Sequence, residues 1–125
     1  MKIPLFLTLA DDSWQRAHYA LVLAAGALSL GRSVTVFAGG RSVLAFTKDW
    51  SRLAGSLTDS DLASRGIAGF EELRDAVMDL GATIMVCETG LKLALVSPGD
   101  LLEGVSIKGI VSFLELAGDN PVIAL

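Results

Sequence analysis

Residues 82–90 read ATIMVCETG and contain the only cysteine of the 125-residue chain. The first six residues make a short apolar run rich in β-propensity, and Gly90 marks a turn three positions after Cys87. Such a run, bounded by turn residues, is the pattern of a strand buried on both faces. Helical spacing then resumes over residues 88–96, so a strand feeds directly into a helix. That step is the repeating unit of a parallel α/β sheet. Cys87 stands at the junction. It is either a small hydrophobe closing the core or a nucleophile at the edge of the sheet.

The same unit recurs on both sides of this stretch. Residues 3–9 form a first apolar run with one proline near its start. The acidic turn ADDS at 10–13 offers Asp11, Asp12 or Ser13 as a helix cap. Residues 14–30 predict an alanine-rich helix ended by Gly31. It is apolar nearly all round and is expected to be covered on more than one side. SVTVFAGG, at 33–40, predicts a second strand stopped by two glycines, followed by a short helix over 41–46. Between 47 and 69 the periodicity fades into Ser, Asp, Gly and Thr, and a loop of that length is usually functional or mobile. Residues 70–80 predict an amphipathic helix closed by Gly81. Beyond the third strand lie a turn at SPGD, 97–100, a short fourth strand within GVSIKG, 104–109, and a helix over 110–117. A turn at GDNP, 118–121, then leads to a last strand, VIAL. The expectation is a single domain over 1–125: a three-layer α/β/α, Rossmann-like arrangement around a mainly parallel five-stranded sheet.

Composition narrows the function. Hydrophobic residues make up 52% of the chain and charged ones 19%. That is more apolar than an ordinary domain, so part of the surface is expected to be covered by copies of the chain or by a partner. The net charge is −4, and the ten Lys and Arg residues are scattered, which disfavours nucleic acid. A single cysteine allows no internal disulfide and no cysteine-based zinc cage, and one histidine adds little, so neither metal nor cofactor is expected. The lone thiol suits a reducing cytoplasm. MKIPLFLTLADD has too short an apolar stretch and no small-residue cleavage pattern for a signal peptide. Residues 17–30 are interrupted by His18, Gly26 and Ser29 and are too short to span a bilayer, so no membrane partner is expected.

In an open parallel sheet, ligands bind beyond the carboxyl ends of the strands. Three such ends are legible: TLADD, FAGGRS and VCETG. If the first and third strands flank the second, the ends converge. Cys87 would then share a pocket with Asp11, Asp12, Gly39, Gly40 and Arg41, beside Glu88 and Thr89. A free thiol is only about 3% thiolate at pH 7; a cation or a helix N-terminus raises that fraction. A helix starting near Glu88 would aim amides at the sulfur, while the Glu88 carboxylate works against the anion. The glycines of AGGRS read as a tight turn or an anion cradle, and neither dinucleotide nor P-loop glycine spacing is present. His18, among alanines and leucines, reads as a packed or interface histidine. No G-x-S-x-G elbow supports a serine nucleophile. Asp59, Asp61, Glu71 and Glu72 read as solvated or helix-start carboxylates.

ATIMVCETGLKLALV followed by LLEGVSIKGIVSFLELAGDNPVIAL resembles the C-terminal half of DsrE/DsrF-like proteins, small α/β sulfur-relay subunits that include the TusD type. The shared pattern is a strand ending in cysteine, a short helix, a GV-x-I-x-G step, a small-residue helix, an Asp-containing turn and a terminal strand. RAHYALVLAAGALSLG and SVTVFAGG agree more loosely as first helix and second strand, and residues 41–68 carry nothing diagnostic. The resemblance implies a trimer or hexamer, with Cys87 taking sulfur from a donor protein as a persulfide and passing it to an acceptor protein. Arg41 or Lys48 would steady the anionic sulfur. The acidic Glu88 departs from the small or apolar residue common in the family. The alternative is a non-catalytic homo-oligomeric subunit of the same fold that binds a small ligand or completes a complex, with Cys87 in the core.

Overall fold

The computed structural model describes residues 2–125. Strands β1 (Leu5–Leu9), β2 (Val34–Ala38), β3 (Thr83–Cys87), β4 (Ser106–Lys108) and β5 (Val122–Ala124) form one sheet in the order β4-β3-β2-β1-β5. Every pairing is parallel. Helices α1 (Trp14–Ser29), α2 (Asp59–Ser64), α3 (Phe70–Asp79), α4 (Glu88–Ala94) and α5 (Ile110–Ala117) connect the strands. The fold is the Rossmann-like three-layer α/β/α arrangement that the alternating pattern implies.

The two helical layers are unequal, and the strand order explains why. From β1 to β4 the chain steps in one direction, and right-handed crossovers put the connecting helices on one face. The return from β4 to β5 runs across the whole sheet and puts α5 alone on the other face. Strand alternation divides the core accordingly. Leu5, Leu7, Leu9, Val34, Val36, Ile84 and Val86 join the larger cluster, with Ala17, Leu21, Phe70, Val77 and Leu91 of the helices. The alternate residues Phe6, Phe37 and Met85 meet Phe113 and Ala117 of α5. Phe113 packs edge-on against Phe6, with ring centroids 5.8 Å apart, and at 5.4 Å against Phe37.

Helix α1 starts where the sequence places it. Ser13 is the N-cap and accepts from the Arg16 amide, and Gly31 follows the helix with φ +78°. It contacts both the sheet and α3, but its outer side leaves Tyr19 and Val22 exposed. Residues 47–69 are more ordered than their faded periodicity suggests. A 3-10 turn at Trp50–Arg52 and helix α2 lie within them, and the Ala54 amide donates to the Asp12 carbonyl of the first loop while its carbonyl accepts from the Trp14 amide at the start of α1. Asp59, expected as a solvated or helix-start carboxylate, opens α2 and also accepts from the amides of Phe70 and Glu71, capping α3. Gly69, the residue before α3, makes this possible: a Cβ there would stand 2.6 Å from the Asp59 carboxylate. Asp61 pairs with Arg65 at 2.8 Å one helical turn later.

Candidate functional site

Cys87 is the last residue of β3 and the N-cap residue of α4, with extended backbone and no capping bond from its side chain. The register sets it opposite Lys108 of β4. Alternation turns its side chain to the α5 face, where it packs at the margin of the Phe6, Phe37, Met85 and Phe113 cluster. The thiol is free, and the residue is half-buried rather than sealed. Glu88, the acidic neighbour, is matched one turn later by Lys92 at 3.7 Å. Both side chains are well exposed, so this pair contributes little energy. Thr89 is exposed in the first turn of α4.

The three loops beyond β1, β2 and β3 converge, because β2 lies between β1 and β3. They meet backbone to backbone. The Gly39 amide donates to the Leu9 carbonyl at 2.9 Å. Gly40 adopts φ +51°, and a Cβ on it would collide with the Ala10 carbonyl. A Cβ on Gly90 of α4 would collide with the Gly40 carbonyl and stand 2.8 Å from Val43 Cγ1. The glycines thus let three chain segments touch where longer side chains would hold them apart.

The charged residues of these loops form a group of their own. Arg41 donates through Nε to Asp12 at 3.1 Å and through a terminal nitrogen to the Leu93 carbonyl at 3.5 Å, a strut from the first loop to the end of α4. Asp11 accepts from the Ser13 amide and pairs with Arg16. Lys48 donates to the Gly99 carbonyl at 3.0 Å. Arg41 and Lys48 thus donate to oxygen acceptors, and among the described residues neither is hydrogen-bonded to the Cys87 sulfur. Geometry gives the reason: Arg41 reaches back along the loops to Asp12, while the Cys87 side chain turns to the α5 face.

Arg74 went unremarked in the sequence. It is 1% exposed, and its Nη1 donates to the carbonyls of Ala45 and Thr47 at 2.8 Å each. Burial holds its guanidinium below the ordinary arginine range. The signal was its place on the buried stripe of α3, four residues after Phe70 and three before Val77. His18 stacks on Trp14, with ring centroids 4.8 Å apart, and its Nε2 lies 3.0 Å from the Ala68 carbonyl, so it ties α1 to the segment before α3.

Two hollows flank the start of α1. One, of about 370 Å³, is lined by Ser13, Gln15, Arg16, Tyr19 and Leu125. The other, of about 310 Å³, includes Trp14, His18, Leu57, Leu62, Arg65 and Ile67. Cys87 lines neither of them. Among the described residues there is no cluster of three or more His, Cys, Asp or Glu side chains suited to a metal ion. No helix among them is long and apolar enough to cross a membrane.

No family model matches the chain, and no curated protein matches it in sequence. Its fold is shared with solved structures. Protein MTH1491 of Methanobacterium thermoautotrophicum, described as a protein of unknown function, superimposes with a TM-score of 0.67 at 15% identity. That match covers 99% of this chain and 100% of the other. The ychN protein of E. coli gives 0.66 at 12% identity, over 98% of this chain and 100% of the other. At such identities the likeness is one of architecture, and it establishes the chain's fold as DsrE/YchN-like.

Proposed function

We propose that this protein is a sulfur-relay carrier of the DsrE/DsrF-like type, with Cys87 as the persulfide site. The supporting observation is the position of the thiol. It is free and half-buried, at the carboxyl end of a central strand where such sheets present their reactive groups. In the reaction, the Cys87 thiolate attacks the terminal sulfur of a donor persulfide and the donor leaves as its thiolate. The new Cys87 persulfide is attacked in turn at its outer sulfur by an acceptor thiolate, which frees Cys87. Each step exchanges one sulfur–sulfur bond for another and needs no external oxidant. The partners are thus a donor and an acceptor protein, in the reducing cytoplasm, and the carrier is a homo-oligomer, a trimer or hexamer. The exposed apolar side chains of α5 support self-association.

A second reading draws on the same surface: a non-catalytic subunit that only completes a complex. Alkylation kinetics separate the two. A carrier thiol reacts with iodoacetamide in the folded protein at least as fast as free cysteine at neutral pH. It also gains one sulfur atom by mass spectrometry after incubation with a cysteine desulfurase and cysteine, and Cys87→Ser abolishes the gain. A thiol that stays inert until denaturant is added, with no sulfur gained, overturns the carrier reading in favour of the second.

A further inference from the structure

We propose that the hollow between the start of α1 and the segment 54–68 is a binding site for a small apolar carboxylate. Two fastenings hold that segment beside the helix. At one end the Ala54 amide donates to the Asp12 carbonyl at 2.7 Å, and the Ala54 carbonyl accepts from the Trp14 amide at 2.9 Å. At the other, the Ala68 carbonyl lies 3.0 Å from His18 Nε2. Between the fastenings about 310 Å³ stays open beside Trp14, Gln15 and His18, a volume at the small end of ligand sites. The hollow is therefore part of the fold and does not wait on a ligand to form.

Its walls are mainly apolar. Leu62 is buried and Leu57 half-buried, whereas Ile67 is 41% exposed. Ile67 is nonetheless held in place, because its amide donates to the Leu62 carbonyl at 2.9 Å as α2 ends. The polar groups on the walls include donors short of acceptors. Trp14 is only 5% exposed, and its indole Nε1–H is buried with no hydrogen-bond partner among the described residues. Such an orphan is rare in a folded protein and points to an acceptor that the chain itself does not supply. Arg65 gives one terminal nitrogen to Asp61 at 2.8 Å, and its other N–H groups make no hydrogen bond among the described residues. A carboxylate brings two acceptor oxygens to a planar guanidinium, and an apolar body suits Leu57, Leu62 and Ile67. Asp61 keeps the cluster near neutral, which favours one negative charge over the double charge of a phosphate. Cys87 is not among the walls, so this site goes beyond the carrier reading and does not depend on it.

The test titrates the full chain with hydrocinnamate, a carboxylate on a short apolar body, and with its alcohol of the same shape, hydrocinnamyl alcohol. Amide shifts in two-dimensional NMR locate the binding. Hydrocinnamate is expected to give saturable shifts at Gly55, Leu57 and Ile67 with a dissociation constant below about 1 mM. The alcohol should bind at least about tenfold more weakly, and Arg65→Gln should bring acid and alcohol within about twofold of each other. Arg65 is exposed, so the variant keeps its fold, and the unshifted amides of the sheet check this in the same spectra. Shifts that do not saturate or that map elsewhere, equal binding of acid and alcohol, or an acid preference that survives Arg65→Gln each overturn the proposal. Cys87→Ser should bind hydrocinnamate as the wild type does, so a failure of the carrier reading and a failure of this one are told apart.

Discussion

Gly90→Ala tests the backbone packing at the strand ends, because two ordinary effects there oppose each other. Gly90 lies within α4, where alanine is intrinsically favoured over glycine by about 1 kcal/mol. Its Cα, however, faces the carbonyl of Gly40, and a methyl group would also stand 2.8 Å from Val43 Cγ1 and 3.1 Å from the Gly40 nitrogen. Overpacking a filled site costs about 1–3 kcal/mol. The upper end applies here, since the nearest obstacle is backbone and cannot rotate away. After subtracting the helix preference, the expected net loss is about 2 kcal/mol, or about 8 °C in Tm for a chain of this size. Gly26→Ala in α1 is the internal control, because nothing lies within 4 Å of its new methyl group. It is expected to gain about 0.5–1 kcal/mol. Urea unfolding of the two variants beside the wild type reads both signs. If Gly90→Ala is as stable as the wild type while Gly26→Ala behaves as expected, α4 does not rest on the second loop and the account of the strand-end glycines fails.

Arg74→Ala leaves the Ala45 and Thr47 carbonyls without their buried donor and is expected to cost about 3 kcal/mol in urea unfolding. Arg74→Met keeps the stem but not the donors and should recover only part of that loss. Leu95, just after α4, holds φ +55° and is 84% exposed, so Leu95→Gly relieves the left-handed strain without losing packing. It should raise stability by about 1 kcal/mol. The Asp49 carboxylate accepts from the hydroxyl and amide of Ser51, and the Asp100 carboxylate from the amide and hydroxyl of Ser97. These bonds hold both below the ordinary 3.8. The unfolded chain therefore binds those protons more readily. The stability they confer is fully present above pH 3.8 and drains away as pH falls through the lower folded-state values. An Asp49→Asn, Asp100→Asn double variant should flatten the acid limb of a stability–pH profile, by being less stable than the wild type at neutral pH and converging on it in acid.

The local elements were legible before any coordinates. Periodicity marked α5 at the bounds the structure gives it, and turn chemistry ended α1 at Gly31 and α3 at Gly81. These signals are local: a cap, a left-handed glycine or an amphipathic stripe is written in residues a few positions apart. The segment from 47 to 69 was illegible for the converse reason. Its order comes from Ala54 bonding to the first loop and from Arg74 reaching to Ala45 and Thr47, contacts between residues far apart in sequence. That Asp59 caps α3 was illegible likewise, because the amides it accepts from lie 11 and 12 residues ahead.

The sequence alone determined the order of the five strands and of the helices outside residues 47–69, the parallel sheet they imply and the place of the single thiol at the end of the third strand. Tertiary structure decided the rest: which face Cys87 turns to, that Arg41 braces Asp12, and that glycines at the strand ends let backbones touch. It also left one helix to cover a whole face of the sheet, with an apolar flank outward. Hydrophobic spacing specifies which side of an element is buried, but what a buried or exposed side meets depends on chain segments that only the folded sheet brings together.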